Sequence, residues 1–320
     1  MAAIPEDEKK FENLPYLSPK VRMRIIDKMD SGDRCRFTRC SKLSQEEAWS
    51  SKNYIYGLAL YYTSAKDMHI DISNSLQDED GYTLTFTKTN GIMKKTYYEL
   101  SNDQESWESE LEVSKTLFQH AYLYLKQKLE NHQNAIKLLR INNLSSSRNA
   151  LKNFNFGVSS LKNLEFLDIM GNMNIQQFLS TMERPLRELW IGDNDEDIPD
   201  QIYEITENIA WDIPNITNEQ FRRITAKSLT IPVGKLTERN IFSFIRSWQN
   251  GTLRREIDTY YWKVEDSNFE ITKFLRLLRI RTNRVRNGVA EIKHFEEPGV
   301  SAILEWNEAY VEFKPIIKQE

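Results

Sequence analysis

The chain has 320 residues, 40% of them hydrophobic, enough apolar material for one large or two modest domains. A formal net charge of -4 and a pI near 5.8 remove the global attraction to phosphate on which most nucleic-acid binders depend, so nucleic acid is not the expected partner. Its two cysteines, Cys35 and Cys40, are no disulfide framework for this size, and the opening MAAIPEDEKK reads as neither secretory leader nor membrane span; a cytoplasmic or nuclear protein is expected.

In chain order, Leu14-Pro15 leads into Ser18-Pro19, an N-cap followed by a proline suited to the first helical position. Val21, Ile25, Ile26 and Met29 then fall on one helical face, and Asp30-Ser31-Gly32 stops the run. A second short helix from Asp33 would place Phe37 and Cys40 on one side, with Arg34, Arg36 and Arg39 facing water or a partner. Residues 1–53 thus predict a helical module too small to bury its own apolar face, which implies a binding partner.

From Tyr54 to Tyr98 the composition turns β-branched and aromatic. Period-two alternation runs through Tyr82 to Thr87 and again from Ile92 to Tyr98, and Thr89-Asn90-Gly91 between them signals a tight hairpin. Residues 107–139 return to helical spacing through Leu111, Leu117, Phe118, Ala121, Leu125 and Leu129. Residues 54–134 therefore read as a β-hairpin and helix connector.

Over residues 135–320, short apolar strand candidates recur at Leu138 to Ile141, Leu164 to Ile169, Leu186 to Ile191 and Lys227 to Ile231. The second and third share the form L-x-x-L-x-I, 22 residues apart, which suggests an irregular leucine-rich-repeat-like α/β coil. Thr217 and Thr237 each precede a helical run as an N-cap would. Leu277 to Arg286 and Val289 to Phe295 read as a hairpin about Asn287-Gly288, with last strands from Ala302 to Trp306 and Tyr310 to Phe313.

The Leu14-Pro15 opening, the apolar helix ending in Met29-Asp30 and the Cys40-Ser41-Lys42 exit together resemble an F-box, in the form seen in the large nematode-expanded F-box family. Asn215-Ile216-Thr217 with its helix, Ala226 to Ile231, Phe242 to Trp248 and then Asn250-Gly251 resemble the F-box-associated domain of those proteins. The resemblance covers about 30 N-terminal residues and, more loosely, 135–290. It implies a Skp-family adaptor as partner, and through it a cullin, with the C-terminal domain capturing a client protein whose identity and docking residues it does not specify. By the same resemblance Leu14, Pro15, Leu17, Val21, Ile25, Met29 and Phe37 face or support the adaptor. Cys35 departs from the pattern by standing where F-boxes usually carry a large aliphatic residue.

Other chemistries find little footing. His69, His120, His132 and His294 are scattered without a metal-ligand spacing, and no G-x-S-x-G, Walker A loop or dinucleotide fingerprint occurs among 11 glycines. Asp193, Asp195, Asp197 and Glu204 fall at calcium-loop positions, but the position that needs glycine is Ile198. Arg276, Arg279, Arg281, Arg284 and Arg286, near Tyr260, Tyr261 and Trp262, are read as a solvated hairpin face in preference to a site for RNA bases.

The expected architecture is therefore α/β: an N-terminal helical F-box-like module, a small antiparallel β segment and an irregular leucine-rich-repeat-like body. The expected function is that of a non-catalytic substrate receptor of a ubiquitin ligase, without metal, cofactor, nucleic acid or membrane. The alternative is a leucine-rich-repeat-like protein-binding scaffold with no ubiquitin link.

Overall fold

Side-chain alternation at period two organises far more of this chain than helical spacing does. The structure, a computed structural model, describes residues 16–26, 28–29, 37, 55–73, 81–99, 102–131, 136–145, 162–180, 182, 184–192, 200–212, 216–253, 256–265, 267–280, 287–297 and 299–317. The chain forms two compact units, Met1–Leu139 and Arg140–Glu320.

In the first unit, after the helix α1 (Pro19–Ile26), the strands β1 (Gly57–Ser64), β2 (Asp67–Ser73), β3 (Gly81–Thr89), β4 (Ile92–Glu99) and β5 (Asn102–Glu110) form an antiparallel meander. Register sets one apolar face: Leu60 stands opposite Ile70 and Ile70 opposite Leu84, while Met68 faces Phe86, and all are buried. The helix α2 (Leu117–Asn131) packs against β2 and β3 and buries Leu117, Ala121, Leu125 and Leu129, one residue per turn. Each leucine so buried contributes about 2 kcal/mol. The Tyr124 hydroxyl of α2 meets that of Tyr82 at 3.1 Å.

The hairpin between β3 and β4 closes over Asn90 and Gly91, with φ of 52° and 83°. Both central residues are left-handed, the condition of the two-residue turn whose twist matches its strands. Helical spacing misleads over residues 107–110: Trp107, Glu108, Ser109 and Glu110 pair with β4, and Lys94 holds Glu108 at 2.7 Å.

The second unit is a mixed sheet, in the order β12 (Gly288–Lys293), β13 (Val300–Trp306), β14 (Tyr310–Ile317), β11 (Thr259–Lys263), β10 (Ser228–Pro232), β9 (Asn208–Trp211), β8 (Glu188–Gly192), β7 (Phe166–Met170) and β6 (Leu138–Asn143), the last spanning the division between the units. Strands β7 to β11 run parallel, and β14, β13 and β12 continue antiparallel. The connections carry α3 (Ile175–Ser180), a short 3-10 turn (Asp200–Glu204), α4 (Asn218–Arg223), α5 (Glu238–Gln249) and α6 (Ile271–Leu277).

Helices α4 and α5 press aromatic side chains onto one face of this sheet. Phe244 of α5 stacks on Tyr260 at 4.9 Å and meets Phe221 of α4 at 5.3 Å, while Trp248 stands edge-on to Phe313 at 5.0 Å. Ile241, Phe244, Ile245 and Trp248 recur at helical spacing and are all buried, so the face of α5 is set by sequence. Thr217 and Thr237 sit in extended conformation immediately before α4 and α5, and each backbone N–H donates 2.8 Å to the side-chain oxygen three residues on, in Gln220 and Asn240.

The expected helical F-box-like module, small antiparallel segment and leucine-rich-repeat-like body must be corrected. Fourteen strands dominate the described residues, and α1 is only eight residues long. The two L-x-x-L-x-I phrases do pair in parallel, with Leu167 opposite Leu189 and Ile169 opposite Ile191. A repeat coil would continue parallel, whereas beyond β11 the chain turns back and three antiparallel strands complete the sheet.

The hairpin expected at Leu277 to Phe295 is also replaced. Leu277 ends α6, and β12 pairs instead with β13. Gly288 marks no turn: it opens β12 opposite Trp306, whose indole leaves no room for a side chain at that position. Glycine is required there by a close approach.

Candidate functional site

The residues assigned to an adaptor surface divide in the structure. Leu14 and Pro15 lie outside the described residues. Leu17, Ile25 and Met29 gather, half-buried, with Met23 around a small core of Ile26 and Phe37. Val21 is 42% exposed and Tyr16 87%. Pro19 opens α1 in the position where its missing N–H costs nothing, the Ser18 carbonyl accepts from Val21 and Arg22, and the Arg22 guanidinium donates 2.7 Å to the Leu17 carbonyl. Of the assigned set, Phe37 is buried, Val21 exposed, and Leu17, Ile25 and Met29 half-buried. Ile26 and Met23 complete the cluster without having been assigned to the site; their helical spacing with Phe37 as a third partner is the signal that sequence offered.

The second unit holds a broader surface. Buried residues alternate along each strand with residues of a second sheet face: Leu189 and Ile191 against Trp190, Tyr260 and Trp262 against Tyr261, Val311 and Phe313 against Glu312. The α4 and α5 rings lie on the buried face. On the other face Trp190 is 50% exposed and Met170 42%. Tyr261 and Tyr310 stack there at 4.7 Å, and the Tyr310 hydroxyl donates to the Glu305 carboxylate.

Carboxylates surround the two phenols of that stack. The hydrogen bond to Glu305, with burial and the charges of Glu305 and Glu312, pushes the Tyr310 hydroxyl up to about 12. Burial, then the carboxylates of Glu312, Glu265 and Glu305, raise that of Tyr261. Sequence reasoning did not find this face, because it requires knowing that β8, β9, β10, β11, β14 and β13 are neighbours.

The remaining candidates separate. Tyr260 and Trp262 are wholly buried, so neither offers a ring to a nucleic-acid base, and of the five arginines only Arg276 and Arg279 fall among the described residues. Asp193, Asp195 and Asp197 lie outside them, while Glu204 ends the 3-10 turn, exposed. His69 meets Thr85 at 3.1 Å, His120 the Glu112 carbonyl at 2.9 Å, and the His294 ring accepts from the backbone of Glu297 at 3.0 Å; His132 lies outside. Among the described residues no group of three or more His, Cys, Asp or Glu is placed to hold a metal, and no helix is long and apolar enough to cross a membrane.

No protein-family model matches the chain, and no curated protein or solved structure matches it either.

Proposed function

We propose that the chain is a non-catalytic substrate receptor of a Skp–cullin-type ubiquitin ligase, which holds the adaptor through its N-terminal segment and a client protein through its second unit. The observation that carries this is Val21: an aliphatic side chain 42% exposed on α1, beside Leu17, Ile25 and Met29, which their small core covers only in part. Among the described residues Ile26 and Phe37 are the buried members of this cluster, and a second protein laid over Val21 and its half-buried neighbours would cover the rest of it. The order of motifs along the chain supports the same partner: the F-box-like segment comes first, and the segments resembling an F-box-associated domain follow.

Such a receptor needs no catalytic residue. It raises the effective concentration of client lysines at the ligase, and the rate gain comes from tethering. Co-expression of the full chain with a Skp-family adaptor tests the reading: wild type co-purifies with the adaptor, and Val21→Asp, which alters an exposed position, folds normally and loses it. An adaptor that never co-purifies, or that Val21→Asp retains unchanged, overturns the proposal.

A further inference from the structure

On the sheet face of the second unit opposite α4 and α5, the strand register lines up one lateral row: Trp190, Ala210, Thr230, Tyr261, Glu312 and Glu305, each the Cα partner of the next. Five interstrand steps of about 4.8 Å make this row about 24 Å long, the span of about seven residues of extended chain. Trp190 stands at one end, and the Tyr261–Tyr310 stack with its two carboxylates at the other. Between them Ala210 and Thr230 are small, so the row is a trough with aromatic walls about 14 Å apart, three strand spacings.

Its charge is one-sided. Arg140 is held by Asp168 at 2.7 Å, and Lys263 is paired with Asp212, so these two cations of the face are already neutralised. Among the described residues no cation pairs with Glu188, Glu305 or Glu312. Lys314 lies outside the row, opposite Ile303. Burial first, and then the carboxylates of Glu312, Glu265 and Glu305, raise the Tyr261 phenol. An exposed tryptophan, a stacked tyrosine pair and neighbouring carboxylates favour a guanidinium or ammonium group, which gains both from the ring faces and from the charge.

We propose that this trough docks an extended, basic segment of a protein, its apolar residue against Trp190 and its Lys or Arg over Tyr261 between Glu312 and Glu305. That the segment belongs to a ligase client rests on the receptor function proposed above; the docking chemistry rests on the sheet face alone. A nucleic acid is disfavoured by the same carboxylates.

The probe is a library of random peptides, longer than the trough, displayed on phage and selected on the full-length chain. The enriched peptides are then measured by fluorescence anisotropy against wild type, Trp190→Ala and Glu312→Gln. Enrichment of Lys or Arg about four residues from an aliphatic residue is expected, with affinity at least about tenfold weaker for Trp190→Ala, as for an interface anchor. Glu312→Gln weakens binding less and reduces its salt dependence. Salt dependence of the wild type alone keeps the test decisive should a variant misfold. Enrichment of uncharged or acidic peptides, no enrichment at all, or equal affinity for wild type and folded variants overturns the proposal. Self-association that both substitutions abolish would assign the face to a second copy of the chain and overturn it as well. Adaptor co-purification, run on the same three proteins, is expected to be unchanged; its absence in all three removes the ligase reading while the peptide result still decides the trough.

Discussion

Glu238 is the clearest case of one residue joining two elements. It opens α5, is almost fully buried, and accepts a hydrogen bond from the Glu270 backbone at 2.9 Å, at the start of α6, with Lys273 at 3.3 Å. Burial pushes its carboxyl up, but the backbone N–H groups of Glu270 and of Glu238 itself, and Lys273, outweigh it and leave the group below the usual value of 4.5. A depressed carboxyl stabilises fully above its unfolded value and stops doing so as pH falls through its folded one. Urea melts should therefore show wild type losing stability between about pH 5 and pH 3, with Glu238→Gln less stable at pH 7 by about 1–2 kcal/mol and flatter across that range. Gly288 is the complementary case, in which sequence named the residue and misread its reason: Asn287-Gly288 resembles a turn, and only the Trp306 indole packed against it shows why a side chain is excluded. Gly288→Ala should lower stability by about 2–3 kcal/mol, read as a drop in the denaturation midpoint.

Among the elements, those with local signals were legible. The Asn90-Gly91 turn, the alternation of β3 and the threonines before α4 and α5 are written in adjacent residues, and each forms where those residues place it. Thr217→Ala should cost about 1 kcal/mol by removing the oxygen that accepts from the Gln220 N–H at 3.3 Å, and a thermal melt would register it. The strand β9 is only four residues, too short for alternation to stand out, and β5 is rich in Ser, Glu and Asn, so neither announces itself. Helix α5 is anchored by Phe244, which touches Phe221, Tyr260, Trp262 and Phe313. Phe244→Ala should destabilise the second unit by about 3–5 kcal/mol, with the loss seen in hydrogen exchange of β10 and β11.

For the molecule as a whole, sequence read three regions, 1–53, 54–134 and 135–320, and missed how far strands dominate the described residues. Strand neighbours come from distant parts of the chain: β11 pairs with β14 across some fifty residues, which no local pattern encodes. The same holds for the candidate surfaces. The N-terminal apolar set was visible because it lies on one helix, whereas the Trp190 to Glu305 row joins six strands and exists only in the folded sheet. In the proposed reading, the partly exposed aliphatic helix and the aromatic row with its carboxylates are the two surfaces that hold other proteins. The most direct test is calorimetric titration of the full-length protein with a purified Skp-family adaptor. The account predicts saturable one-to-one binding by wild type and at least a tenfold loss, roughly, for Val21→Asp at unchanged melting temperature; the absence of binding by folded wild type would contradict it.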